Sequence, residues 1–249
     1  FKSNPNWPHD WSAFVTYEPI TDANFQDAVN LWFSDEANAT ATYGHIRDWN
    51  VSGVTNMTKA FKDRATFNED ISGWDVSSVT SMEYMFYQAE SFNQPIGSWN
   101  LSSVVNLQGM FKSAKTFNQP IGNWNVSSVT TMREMFQNAL AFNQPIGNWD
   151  TSSVTMMANM FIRALAFNQE IGDWDTSSVI QMSHMFSLTP YFDQPLNDWN
   201  VSSVTGMFNM FKSAESFNQD ISEWNVSAVK NMNNMFAQSD SLSDSNKGK

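Results

Sequence analysis

The sequence predicts an α/β repeat solenoid of eight 25-residue coils, each a short strand plus a short helix, with a helical cap at the amino end. Three observations carry this expectation. Trp49, Trp74, Trp99, Trp124, Trp149, Trp174, Trp199 and Trp224 follow one another every 25 residues without an insertion. Between successive Trp residues the apolar positions fall at extended spacing in one stretch and at helical spacing in another. Ahead of the first Trp lies an amphipathic segment that belongs to no repeat.

A fixed period of this length marks an array of stacked supersecondary units. Counted from each Trp, Ser stands at +3, Val at +5 and Phe at +12 in every copy. Met stands at +8 except at Leu107, and at +11 except at Ala60. Phe recurs at +18 in seven copies, with Leu242 in the eighth. In the unit opening at Trp124, the residues Val129, Met132, Met135, Phe136 and Ala139 occupy relative positions 0, 3, 6, 7 and 10. At about 100° per residue they span an arc of roughly 120°. That predicts a short helix with one buried face. Ser128 or Thr130 would cap its start, and Thr80 with Glu83 would form a capping box in the second copy.

The other half of the unit reads as extended. Ile121, Trp124 and Val126 are apolar, with Gly122 and Asn123 as a bend between the first two. Pro95, Pro120, Pro145 and Pro195 share one column. Pro has no N–H for a strand ladder, so the column opens the strand or lies outside it. The strand is therefore expected around Ile121–Val126. The column of Asn68, Asn93, Asn118, Asn143, Asn168 and Asn218 reads as an amide ladder that satisfies backbone groups at the bend.

One copy alone has too little apolar surface to offset the entropy of ordering its backbone, so each must be covered by its neighbours. The ends then need closing. Thr21 or Asp22 would cap a helix over about 22–33 that places Phe25, Ala28, Val29 and Trp32 on one face. The expected organisation is an N-terminal extension over 1–20, a helical cap over 21–48, the eight coils over 49–242 and a disordered tail over 243–249, where no apolar residue occurs. The first residue is Phe1 and not Met, so a processed chain is expected.

Composition narrows the function. Thirteen basic residues stand against 25 acidic ones, a net charge of −12, which argues against nucleic acid as a partner. No Cys is present, so disulfides, thiol catalysis and thiolate metal sites are excluded. No apolar run is long enough to span a membrane. His9, His45 and His184 have no partner His at metal-ligand spacing, and no Gly-rich phosphate loop occurs. The expectation is a non-enzymatic protein without a cofactor.

The repeat pattern W-[ND]-V-S-x-V-T-x-M-x-x-M-F-x-x-A-x-x-F-N-Q-x-I resembles that of the BspA-like leucine-rich-repeat surface proteins. The variant it resembles is the one found in mycoplasma surface lipoproteins and in some bacteria and algae. The opening stretch AVNLWFSDEANATATYGHIRDWN is similar to the usual start of that family. The resemblance covers about residues 20–242. It implies a leucine-rich-repeat-like fold and an extracellular or cell-surface protein that mediates adhesion or protein recognition. It supplies no catalytic motif. A self-associating surface-layer protein is an alternative. So is an ice- or carbohydrate-surface binder, for which Thr55, Thr80, Thr130, Thr155 and Thr205 form a column interrupted by Val105, Ile180 and Lys230.

Candidate residues fall into three sets. Trp74, Trp99, Trp124, Trp149, Trp174 and Trp199, with Phe86, Phe111, Phe136 and Phe161, are read as core because they are the main apolar residues each coil offers. The columns at +10 and +13 vary from copy to copy and are read as exposed. Within them Tyr84, Tyr87, Lys112 and Glu134 are the candidates for a binding surface, the two Tyr residues forming its aromatic centre. At +24 the residues Asp173, Asp198 and Glu223 stack like charges on neighbouring coils. They are candidate cation ligands, weighed against a simple solvated acidic face. The Asn-x-Ser/Thr sequons at Asn38, Asn50, Asn56, Asn100, Asn125, Asn200 and Asn225 are glycan acceptors in principle. Asp75, Asp150 and Asp175 share the column of Asn50, Asn100 and Asn125, which favours a turn residue.

Overall fold

The computed structural model describes residues 16–247. The α-helices among them are α1, Phe25–Ser34, α2, Glu36–Tyr43, and a four-residue α3, Asp244–Lys247, with a 3-10 turn at Ile46–Asp48. Between that turn and α3 no strand and no helix forms among the described residues. The expectation of an α/β, leucine-rich-repeat-like solenoid with strand-plus-helix coils is therefore overturned. Each 25-residue coil is a succession of tight turns, stacked in parallel on the next. A single parallel bridge marks each junction, from Asn56 with Ser81 to Gly206 with Asn231.

The helical reading fails at two backbone positions. Residues at +10 and +14 are left-handed in every coil: Tyr84 has φ 52°, Gln88 59°, Glu134 61° and Asn138 58°. A right-handed helix cannot pass through such residues. The apolar spacing of three has another source. Amides close turns on the carbonyl three residues back, as Val129 does on Val126 (2.9 Å), Met135 on Met132 (3.1 Å) and Ala139 on Phe136 (3.0 Å). The intervening amides point to the next coil. Met132, Glu134, Phe136 and Asn138 donate to the carbonyls of Met156, Ala158, Met160 and Ile162 at 2.8–3.0 Å. In the opposite sense Thr155 N–H donates to the Thr130 carbonyl at 2.9 Å. The same five bonds recur at every junction, so the backbone is satisfied between coils.

The expected strand around Ile121–Val126 is also a turn, closed by Trp124 N–H on the Ile121 carbonyl at 3.1 Å. Asn or Asp at +1 accepts the amide of Ser at +3 in all eight coils, at 2.9–3.2 Å, so this column sets a local turn. The presumed capping hydroxyls bond the preceding coil: Ser128 Oγ donates to the Ser102 carbonyl (3.0 Å) and Thr80 Oγ1 to that of Thr55 (3.1 Å). The glycines at +23 permit close stacking. A Cβ on Gly97 would lie 2.2 Å from the Pro120 carbonyl oxygen, and one on Gly122 2.5 Å from that of Pro145.

Tryptophan fixes the phase of the stack. From Trp74 to Trp224 each indole N–H donates to the carbonyl 28 residues earlier, at 2.9–3.3 Å. Ring centroids from Trp124 to Trp224 follow one another at 6.2–6.4 Å. Phe86, Phe111, Phe136 and Phe161 stack at 5.6–5.7 Å and are fully buried. Met and Val columns fill the space between them. The Asn column forms a second ladder: Asn143 N–H donates to Asn118 Oδ1 (3.0 Å) and Asn168 N–H to Asn143 Oδ1 (2.9 Å), with Asp193 continuing it. Where Thr151 and Thr176 replace the Val at +2, their hydroxyls find the carbonyls of Asp175 and Asn200.

The two ends differ. At the amino end α1 buries Phe25, Ala28, Val29 and Trp32, at the i, i+3, i+4, i+7 spacing of a one-faced helix. Its rings meet the first coils edge-on, Trp32 on Trp49 at 6.3 Å and Phe25 on Trp74 at 6.0 Å. The residue before α1 is Asn24, and Asp22 does not cap it. Asp22 instead accepts from Thr55 N–H at 2.8 Å and Thr55 Oγ1 at 2.6 Å, the two donors that later coils direct to a preceding carbonyl. A carboxylate thus replaces the missing coil, and the Thr55 hydrogen bond holds it below the usual Asp range. At the carboxyl end the expected disordered tail includes α3. Its Asn246 donates to the Asn218 carbonyl (2.7 Å) and accepts from Ile221 N–H (3.1 Å). Of the proposed extension, residues 1–15 lie outside the described residues, as do 248–249.

The stacking assigns the central Trp a measurable weight. Trp149→Ala should cost about 3–5 kcal/mol in denaturant unfolding, since it opens a cavity and removes the indole hydrogen bond to the Ile121 carbonyl. Trp149→Phe, which keeps a ring, should cost less. Equal midpoints for wild type and the Ala variant would refute a continuous Trp core.

Candidate recognition surface

The left-handed residue at +10 aims its side chain along the stack. In the third coil this position is Gly109, where a Cβ would lie 2.2 Å from the Tyr84 ring. Glycine therefore lets Tyr84 lie flat across the third coil and reach the fourth. There its hydroxyl donates to Glu134 Oε2 at 3.2 Å and accepts from Gln108 Nε2 at 3.0 Å. Lys112 Nζ contacts the same Glu134 oxygen at 2.6 Å, and Arg133 Nε reaches Oε1 at 3.0 Å. The Tyr84 and Tyr87 rings stand 5.7 Å apart. Lys112 Nζ lies 6.0 and 5.4 Å from them, and Lys62 Nζ 5.5 Å from Tyr87. All three distances suit cation–π attraction.

The structure thus gathers Tyr84, Tyr87, Lys112 and Glu134 into one cluster spanning three coils. It also corrects the reading of all four as exposed. Glu134 is only 7% exposed and the Tyr residues are half-buried. Burial pushes the Glu134 carboxyl up, but Lys112, through its hydrogen bond and charge, together with Arg133 and Tyr84, outweighs burial and holds it below the usual Glu range. Burial raises the Tyr84 phenol, so it remains a donor at neutral pH. Sequence reasoning missed Gln108 and Arg133, which lie in the neighbouring +9 column, and left Lys62, of the +13 column, out of the candidates. The available signal was Gly109, the one residue without a side chain in the +10 column.

The acidic candidates lie elsewhere. Asp173, Asp198 and Glu223 are exposed. Asp173 and Asp198 line an open polar groove of about 520 Å³ with Asn148, Gln169, Glu170 and Gln194. Asp198 accepts from Asn197 at 2.8 Å. Among the described residues no group of three or more His, Asp or Glu side chains is placed to hold a metal ion. His184 packs edge-on against Phe208 at 5.1 Å, His45 accepts from Arg47 N–H at 3.3 Å, and His9 lies outside the described residues. In the Thr column the hydroxyls of Thr80, Thr130, Thr155 and Thr205 donate to preceding-coil carbonyls at 3.1–3.2 Å, leaving no hydroxyl proton directed outward. No described helix is long and apolar enough to cross a membrane.

Fold and surface together define a repeat protein: stacked 25-residue coils that hold one variable patch on an otherwise regular array. Residues 29–148 and 134–248 match the family described as Mycoplasma protein of unknown function, DUF285. The chain belongs to this family. No curated protein matches it.

Two outcomes follow from these geometries. The folded-state pKa of Glu134 is depressed, so its contribution is present at neutral pH and is lost as the pH falls through the carboxylate range. Glu134→Gln should lower stability at pH 7 by roughly 1–3 kcal/mol, with the gap to wild type closing in acid. Thermal melts from pH 3 to 7 would show it, and a gap independent of pH would refute the ionic role. Asp173→Asn with Asp198→Asn should raise the melting temperature by removing like-charge repulsion of about 1 kcal/mol per pair. Millimolar calcium should shift neither protein, and stabilisation of wild type alone would identify a cation site.

Proposed function

We propose that this protein is a non-enzymatic recognition scaffold, secreted or displayed at a cell surface, and that it functions as the BspA-like surface repeat proteins do, in adhesion or protein recognition. The observation that carries the reading is the Tyr84–Tyr87–Lys112–Glu134 cluster. Recognition surfaces draw their affinity from a few rigid aromatic and Arg or Lys anchors. Here Tyr84 is pre-positioned by a buried carboxylate and its Lys112 and Arg133 partners, and Tyr87 packs against Tyr84 and Lys112. Pre-positioning reduces the entropy lost on binding. Lys62, Lys112 and Arg133 also place positive charge around the rings, in a chain whose net charge is −12. The partner best matched to them is a protein segment with acidic and apolar side chains. Membership of a repeat family is compatible with this reading.

The test compares wild type with a Tyr84→Ala, Tyr87→Ala double variant in binding to immobilised extracellular-matrix proteins and to intact cells. The expected result is a loss of binding of at least about tenfold, since two anchor residues each contribute about 1–2 kcal/mol or more, while the variant still unfolds cooperatively. Unchanged binding would move the surface elsewhere, and no binding by wild type to either would refute the recognition role.

A further inference from the structure

We infer that the +16 and +17 columns of the fourth to sixth coils form a self-pairing surface, on which a second copy of this chain docks with its stack reversed. The inference does not depend on the Tyr84 cluster. In the second, third and seventh coils these columns are polar: Glu90 and Ser91, Lys115 and Thr116, Glu215 and Ser216. In the coils between they read Leu140 and Ala141, Leu165 and Ala166, Pro190 and Tyr191. Leu165 is 39% exposed and Tyr191 65%, the highest value for a large apolar side chain among the described residues. The core does not require them, since Phe167 and Phe192 beside them are already fully buried. Single exposed apolar residues are ordinary, but a contiguous strip rimmed by charge points to a partner. The columns are continuous from coil to coil. Lys115 Nζ reaches Glu90 Oε1 at 2.7 Å, and the +17 amides of Ala141 and Ser216 donate to the +16 carbonyls of Lys115 and Pro190 at 3.1 and 3.0 Å.

The order of residues along the strip selects the occupant. A two-fold axis lying across the fifth coil sets the third coil of one copy against the seventh of the other, and the fourth against the sixth. Lys115 then faces Glu215, Leu140 faces Pro190 and Leu165 meets its own counterpart. In the +17 column the protruding Tyr191 faces Ala141, a large ring against a small side chain, and Ala166 meets Ala166. Each off-axis contact occurs twice, as a two-fold pair requires. Parallel stacks would instead oppose Lys115 to Lys115, Glu215 to Glu215 and Tyr191 to Tyr191. An unrelated apolar partner would need no such order of charges. The match ends one coil further out, where Glu90, already paired with Lys115, faces Asp240. On the axis Arg163, itself exposed, comes near its counterpart, and its flexible stem lets the guanidinium turn to water. The strip is short, so the pairing belongs to the weak, transient class.

The experiment is sedimentation of the full chain across concentration. Wild type should pass from monomer to dimer between about 10 μM and about 1 mM, the range of weak encounters. Leu165→Glu sets two carboxylates on the axis and should leave the chain monomeric throughout. Tyr191→Ser should raise Kd at least about tenfold. Both side chains are exposed in the single chain, so its melting temperature should not change. Lys115→Glu and Glu215→Lys should each raise Kd about tenfold, as two attractive pairs become repulsive. An equimolar mixture of these two variants restores both pairs and should dimerise as wild type does. Wild type monomeric at the highest concentration would overturn the proposal. So would association untouched by Leu165→Glu, or growth beyond a dimer. Charge variants that each associate as wild type does, with a mixture tighter than wild type, would identify parallel pairing and overturn the reversed arrangement. The Tyr84→Ala, Tyr87→Ala variant should dimerise normally, and its failure to do so would assign the contact to the recognition cluster instead.

Discussion

The hydrogen bond from each indole N–H to the carbonyl 28 residues earlier is the constraint on which the other regularities rest. A buried Trp must place its N–H on an acceptor, and here the acceptor lies three residues ahead of the Trp that opens the preceding coil. Ring and carbonyl meet only when that coil is complete and in phase. One inserted residue would displace the acceptor and leave the indole N–H unpaired in the core. With the phase fixed, the Phe rings stack, the Asn amides reach one another and the Pro and Glu carbonyls approach the glycines. Every column is then a consequence of one register, which is why the period of 25 runs through eight copies without interruption.

The register was legible in the sequence, but the backbone that realises it was not. Invariant Trp, Val and Phe positions mark the core without any knowledge of secondary structure, and the Asn column declares its ladder by the same logic. Secondary structure is harder because turns closed over three residues space apolar side chains almost as a helix does. The usual warning of a left-handed residue is Gly or Asn. Here Tyr84, Glu134, Arg163, His184 and Leu188 hold such conformations. Strain of about 1–3 kcal/mol at such sites persists only where surrounding contacts enforce it, and the contacts that do so lie one coil away. Glu134 escaped for a related reason. A variable column implies exposure only if no neighbour leans across it, and Gly109 invites Tyr84 to do so.

Charge is divided between the two sides of the coil in a way that follows from this geometry. From the residue at +18 to the one after the next Trp, no Lys or Arg occurs in any of the seven intervals, and Asp or Glu occurs in five of them. Basic residues gather instead on the +9 to +16 stretch, where Lys62, Lys112 and Arg133 surround the Tyr pair. Because each coil adds the same arc, a bias in one column becomes a stripe along the molecule. The carboxylates of Asp173 and Asp198 repel in a polar groove, while Glu134, with the same chemistry, is buried among cations.

The backbone bonds between coils run along the stack and not around it, and this bears on how the molecule carries load. Tension applied to its two ends acts on the junctions in series, so the weakest one parts first and shields the rest. Each parted junction frees a whole 25-residue coil, roughly 80–90 Å of extended chain. A protein built this way lengthens in discrete steps under a pull, and dissipates work at each step while the coils behind it stay folded.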